Sequence, residues 1–121
     1  MAKKVMVVDD SNVMRQMVSF TLREAGFEVI EAENGRDALN KLNGQKLDLI
    51  LTDLNMPLMD GLTFIREART LPATSYTPIL MLTTESQVAK KMEGKAAGAT
   101  GWIVKPFDPP KLLATIARVL P

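Results

Sequence analysis

Val5-Met6-Val7-Val8-Asp9-Asp10-Ser11 decides the fold: four apolar residues in unbroken succession, then two carboxylates and a hydroxyl. A strand with one face in water alternates apolar and polar side chains, whereas a continuous apolar run suits a strand covered on both faces. Such strands belong to parallel sheets packed between helices. The residues that follow supply the first covering helix. Val13, Met14, Met17, Val18, Thr21, Leu22 and Ala25 recur at helical spacing, and Gly26 is placed to end it.

Working outward, strand and helix alternate to the end of the chain. Phe27 to Ile30 reads as a second strand and Asn34-Gly35 as a turn. Ala38, Leu39 and Leu42 then form a helical stripe that stops at Asn43-Gly44. Leu47 to Thr52 is the third strand and delivers Asp53 at its end. Asp60 caps a helix whose Leu62, Ile65, Ala68 and Leu71 face inward as far as Pro72. Ile79 to Leu82 is the fourth strand, ending at Thr83. Ser86 to Ala97 reads as the weakest helix, with Gly94 inside it and Val88 and Met92 as its only large apolar residues, so mobility is expected there. Gly101 to Val104 is the fifth strand. After Lys105-Pro106-Phe107, Asp108-Pro109 opens a last helix that buries Leu112, Leu113, Ile116, Ala117 and Leu120.

Five strands alternating with five helices across short loops specify a doubly wound α/β domain, a parallel sheet with helices on both faces. Residues 1–121 make a single domain, which needs no disulfide staple because a core of this size buries roughly two thirds of the surface its unfolded chain exposes. The chain has neither cysteine nor histidine. Thiol and imidazole nucleophiles, histidine bases, and zinc or iron–sulfur sites built on those ligands are therefore excluded. Any metal must be held by oxygen, which favours a hard cation such as Mg²⁺ or Ca²⁺. Fifteen basic residues against 14 acidic give a net charge of +1, so no global attraction draws the chain to nucleic acid or to a membrane. The N-terminal apolar run is too short for a signal peptide or a membrane span, and a cytoplasmic protein is expected.

In sheets of this type ligands bind at the carboxyl ends of the strands, where the strand order reverses. Asp9 and Asp10, Asp53, Thr83 and Lys105 all terminate strands. Crowded carboxylates repel one another, and a divalent cation relieves that repulsion. A cation, an ammonium and a hydroxyl around Asp53 would form a clamp for phosphoryl oxygens, with the carboxylate as nucleophile. Each piece also has a plainer explanation. Asp9-Asp10 could cap a helix, Asp53-Leu54-Asn55-Met56-Pro57 could be a turn, Thr83 could start a helix, and Lys105 could be a solvated strand end. Their coincidence on one sheet edge favours the chemical reading. Lys90, Lys91 and Lys95 read as a solvated helix face, and Met14, Met17 and Met81 as core. No phosphate-binding glycine loop of the nucleotide-binding types is present.

Four stretches carry a family resemblance: Val7-Val8-Asp9-Asp10-Ser11, Leu51-Thr52-Asp53-Leu54-Asn55-Met56-Pro57-Leu58-Met59-Asp60-Gly61, Leu80-Met81-Leu82-Thr83, and Gly98-Ala99-Thr100-Gly101-Trp102-Ile103-Val104-Lys105-Pro106-Phe107. In this order and spacing the chain resembles the receiver domains of two-component response regulators, and more closely the single-domain chemotaxis regulators of the CheY type. The resemblance implies a flavodoxin-like receiver with sheet order 2-1-3-4-5 and phosphorylation of Asp53 by a sensor histidine kinase or phosphotransfer protein. It implies Mg²⁺ held by Asp10, Asp53 and the backbone carbonyl of Asn55, with Asp9 acting largely through water. Thr83 and Lys105 would grip the phosphoryl group, and Lys105-Pro106 would be a cis peptide. Thr83 and the aromatic position, here Trp102, would form the switch that alters the face of the fourth helix, fifth strand and fifth helix.

The further partners implied are the flagellar motor switch and a phosphatase, for a monomer that catalyses only its own phosphorylation and dephosphorylation. Two positions depart from the commonest pattern. Trp102 stands where relatives carry Tyr or Phe, which leaves a fixed core residue as its other reading, and Thr84 stands where many carry a smaller residue. Three alternatives stay open: a phosphate sink or relay receiver, a receiver cut from a DNA-binding regulator, and an aspartate-based phosphohydrolase. The last would need a second carboxylate two places after the first, where this chain has Ser11 or Asn12.

Overall fold

The computed structural model describes residues 2–84, 88–106 and 108–120. The elements run β1 (Lys4–Val8), α1 (Asn12–Glu24), β2 (Glu28–Ala32), α2 (Gly35–Leu42), β3 (Leu49–Asp53), α3 (Gly61–Arg69), a 3₁₀ turn (Pro72–Thr74), β4 (Ile79–Thr83), α4 (Val88–Ala97), β5 (Gly101–Val104) and α5 (Pro109–Val119). All strand pairs are parallel, in the order β2-β1-β3-β4-β5. The doubly wound sheet and its expected order are both present. The order reverses between β1 and β3, so the carboxyl ends of those strands flank the crevice where such folds bind ligands.

The alternation of side chains along each strand divides the core in two. Met6, Val8, Ile50 and Met81 lie in one cluster with Phe64, Ile65 and Ala68 of α3 and Ala38 and Leu42 of α2. Val5, Val7, Leu49, Leu51 and Leu82 lie in the other, with Val18 and Leu22 of α1 and Leu112 and Ile116 of α5. Every residue of β3 and β4 is buried, as unbroken apolar runs require.

Helix termini follow local chemistry. Ser11, Asn34, Asp60 and Asp108 each accept a hydrogen bond from the backbone N–H three residues on, capping α1, α2, α3 and α5. Asn34-Gly35 is therefore a cap and a first helical residue rather than a turn, and Asn43 and Gly44, both at positive φ, end that helix. β2 starts one residue later than Phe27 and runs on to Ala32, because Glu31 and Ala32 continue the ladder with Val7 and Val8 of β1.

Five expected core positions face out. Val13 and Met17 are exposed and Ala25 is too, while Arg15 and Ser19 are buried beside Val18 and Leu22. The inward face of α1 is thus rotated from the purely apolar stripe. Leu71 and Ala117 are likewise exposed, Leu71 because α3 ends at Arg69. α4 is thinly anchored. Among its described side chains only Gly94 and Ala97 are buried, and Met92 is exposed. The expected helix start at Ser86 lies outside the described residues, as does Phe107.

Candidate functional site

The first strand does not stop cleanly at Val8: the Asp9 N–H continues the ladder by donating to the Ala32 carbonyl at 3.1 Å. Asp9 is wholly buried at the sheet edge, and its Oδ1 accepts from the Ser11 N–H at 2.9 Å. Asp10, one residue on, is exposed. Capping of α1 falls to the Ser11 hydroxyl, which accepts from Met14 at 3.2 Å. Neither aspartate is spent on the cap, so the plainer explanation of the pair fails.

β3 brings Asp53 to the same corner, 9% exposed, with its Oδ1 accepting from the Leu54 N–H at 2.9 Å. The turn that follows is held by Gly61, whose N–H donates to the Leu54 carbonyl at 2.8 Å. A Cβ on Gly61 would lie 2.1 Å from the Asp53 carbonyl oxygen, so only glycine lets α3 begin this close to the aspartate. Leu58, at the tip of the loop, takes a positive φ of 67° and points into solvent.

Lys105 arrives from the end of β5. Its Nζ lies 3.2 Å from Asp53 Oδ1 and 3.5 Å from Asp9 Oδ2, and Lys105-Pro106 is a cis peptide, as the resemblance implied. One ammonium therefore serves two buried carboxylates. Burial pushes the Asp53 carboxyl above its ordinary value; Lys105 opposes the shift and neighbouring Asp9 adds to it. Carboxylate oxygens of Asp9, Asp10 and Asp53 lie within 4.8 Å of one another, close enough to ligate one ion. Three carboxylates against one ammonium leave a surplus of negative charge in an all-oxygen donor set, which fits a hard divalent cation. Asn55 lies in the exposed loop two residues beyond Asp53.

Thr83 completes the corner from β4. Its hydroxyl is fully buried and has no hydrogen-bond partner among the described residues. A buried polar group left unpaired costs roughly 1–3 kcal/mol, so this hydroxyl stands ready for an acceptor. Thr84, the next residue, is half-buried.

Trp102 lies apart from this group. It is 43% exposed, pairs across the sheet with Met81, and carries the Lys91 ammonium 4.9 Å from its ring centroid. Lys91 is thus more than part of a solvated face, while Lys90 pairs with Glu93 at 3.3 Å. A cavity of about 30 Å³, lined in part by Met81, Lys91 and Trp102, separates α4 from β5. That is space on the order of one water, too little for an indole ring.

The residue that sequence reading missed is Arg15. It is buried, and its guanidinium donates to the Asp9 carbonyl, Asn12 Oδ1 and Glu31 Oε1 at 2.7, 2.6 and 3.2 Å. The available signal was its helical spacing from Val18 and Leu22, which places a charge on the face that must pack inward.

Among the described residues, no helix is long and apolar enough to cross a membrane. Residues 5–117 match the model of the response regulator receiver domain. The structure superposes on the chemotaxis response regulator CheY4 of Vibrio cholerae with a TM-score of 0.93 at 53% identity, covering 99% of this chain and 100% of that one. It superposes on the receiver domain of the sensor histidine kinase PA1611 from Pseudomonas aeruginosa with a TM-score of 0.90 at 26% identity, over 98% of each chain. That structure has a magnesium ion in its active-site cleft. The phosphate regulon transcriptional regulatory protein PhoB of Escherichia coli is 38% identical over 120 residues, 99% of this chain and 52% of PhoB. The chain spans about half the length of the curated relatives it matches. Its strand order, its acidic corner and these likenesses agree: the chain belongs to the response regulator receiver domain family.

Proposed function

We propose that Asp53 accepts a phosphoryl group from a phosphohistidine of a sensor kinase or phosphotransfer protein, and that this changes the partner affinity of the α4–β5–α5 face. One observation carries the reading: the Lys105 ammonium reaches two buried carboxylates beside a buried hydroxyl that has no partner among the described residues. In the transfer an Asp53 carboxylate oxygen attacks phosphorus in line. The new P–O bond forms as the donor's P–N bond breaks, and the electron pair leaves on the donor imidazole. Lys105 pairs with one phosphoryl oxygen, and the Thr83 hydroxyl donates to another. Asp9, Asp10, Asp53 and the Asn55 carbonyl would hold Mg²⁺, which when bound would supply positive charge to offset the crowded carboxylates and the phosphoryl oxygens.

Activation follows from contacts that differ between the two states. The acyl phosphate gives the Thr83 hydroxyl an acceptor and draws it toward Asp53. Met81 and Thr83 lie on one face of β4, and Trp102 pairs with Met81, so the change passes along that face to the indole. With so little space beneath it, the ring turns inward only if Met81 moves aside, and its outward position is further held by Lys91.

The likeness to CheY4 supports an output in chemotaxis, with the flagellar motor switch as partner and a phosphatase to end the signal. The second reading, a receiver belonging to a transcriptional regulator, draws on the likeness to the receiver half of PhoB. Incubation with acetyl phosphate tests the shared chemistry. One Mg²⁺-dependent phosphoryl group is expected on the parent and none on Asp53→Asn, read by intact mass. Equal labelling of the variant would overturn the assignment.

A further inference from the structure

The geometry points to Arg15 as a positioning residue that sets the Mg²⁺ affinity of the acidic corner from behind, an inference that rests on the metal reading proposed above. Arg15 is 9% exposed and lies one turn into α1. Helical side chains lean toward the helix N-terminus, so this one runs back to the end of β1. There its planar fork makes three bonds at once. Nη1 donates to the Asp9 carbonyl at 2.7 Å, Nη2 to Asn12 Oδ1 at 2.6 Å and Nε to Glu31 Oε1 at 3.2 Å.

The bond to the Asp9 carbonyl matters because that oxygen belongs to the peptide unit joining Asp9 to Asp10. Asp9 itself is held independently, by Ala32 at its N–H and by Ser11 and Lys105 at its carboxylate. Asp10 is exposed, and its side chain has no partner among the described residues. Its Cα is therefore placed by the peptides on either side, one pinned through the Asp9 carbonyl and the other through the Ser11 N–H bonded to Asp9 Oδ1, and a planar peptide transmits each constraint to that Cα. Arg15 fixes the first of these planes.

Charge is arranged to match. A guanidinium this near an acidic cluster would compete with a bound cation, but Glu31 pairs with it at 3.2 Å and offsets its charge; Arg23, which shares Glu31 at 3.3 Å, is exposed and screened by solvent. The brace thus orients the carboxylates without cancelling the surplus negative charge that attracts the ion.

The test is calorimetric Mg²⁺ titration of the whole chain, with acetyl phosphate labelling as a function of Mg²⁺ and thermal unfolding as a check of folding. For Arg15→Gln the Mg²⁺ dissociation constant is expected to rise about tenfold, the low end for loss of a group that orients metal ligands. Its labelling rate should return to the parent plateau at saturating Mg²⁺. Arg15→Lys should recover part of the affinity. Glu31→Gln keeps an acceptor for Nε but leaves the guanidinium charge uncompensated, and should also weaken binding. It carries the test if Arg15→Gln does not fold. Unchanged Mg²⁺ affinity in folded variants, or a lowered plateau with unchanged Mg²⁺ dependence, overturns the proposal while leaving the metal reading intact. A parent that binds no Mg²⁺ overturns both.

Discussion

Gly61 and Gly94 both sit where a methyl group has no room, but against neighbours of different stiffness. At Gly61 the added carbon would meet the Asp53 backbone, 2.1 Å from the carbonyl oxygen. At Gly94 it would meet the end of the Met81 side chain, 2.0 Å from Sδ and 2.4 Å from Cε. A strand backbone inside a parallel sheet has nowhere to go; a thioether with three rotatable bonds does. The corner that holds Asp9 and Asp53 is therefore built against fixed backbone. The layer that carries α4 is built against a side chain able to change rotamer. Chemistry requires the first property and a responsive surface the second.

Three substitutions probe that contrast. Gly61→Ala should have the largest effect. It is expected to cost about 3 kcal/mol in urea unfolding and to depress acetyl phosphate labelling sharply, since either α3 or Asp53 must shift. Stability close to the parent would show that this corner yields as easily as the other. Gly94→Ala should be far milder. Alanine gains about 1 kcal/mol of helix propensity over glycine, and moving Met81 off its rotamer costs a similar roughly 0.5–1.5 kcal/mol. Thermal unfolding should place the variant within about 1 kcal/mol of the parent, and a loss as large as that at Gly61 would erase the distinction. Lys91→Ala is the smallest perturbation, removing a cation–π contact worth about 0.5–1 kcal/mol at an exposed site. Its clearest readout is emission from Trp102, the only tryptophan. An unchanged spectrum would mean that Lys91 does not hold the ring.

Unequal stiffness was legible in the sequence at only one of the two corners. Gly94 within a run poor in large apolar residues already marked the fourth helix as weakly packed, and it buries only Gly94 and Ala97 among its described side chains. The acidic corner could be located, because each apolar run ends in the residue that reaches the crevice: Asp9, Asp53, Thr83. What holds that corner could not be read. Arg15 and Glu31, 16 residues apart in sequence, look like ordinary surface charges until a helix and the strand after it bring them together. Pairing with Val7 and Val8 of β1 carries β2 past the apolar stretch that suggested its end. Gly61 was visible as a residue after a cap, but its necessity arises from a loop that folds back on Asp53. Asn34-Gly35 illustrates a different ambiguity: both a turn and a helix start favour these residues, and only the bond from the Asp37 N–H to the Asn34 side chain decides between them.

The division of the core by the sheet has one more consequence. Met81 belongs to the cluster shared with α2 and α3, whereas Leu82 and Ile103 belong to the cluster shared with α1 and α5. Cross-strand pairing puts Trp102 on the Met81 side. The switch proposed between Thr83 and Trp102 would thus run along one side of a wall of backbone hydrogen bonds. The sheet acts as a partition. Arg15 and Ser19 face the opposite compartment with Val18 and Leu22, so the brace behind Asp9 would be insulated from that movement.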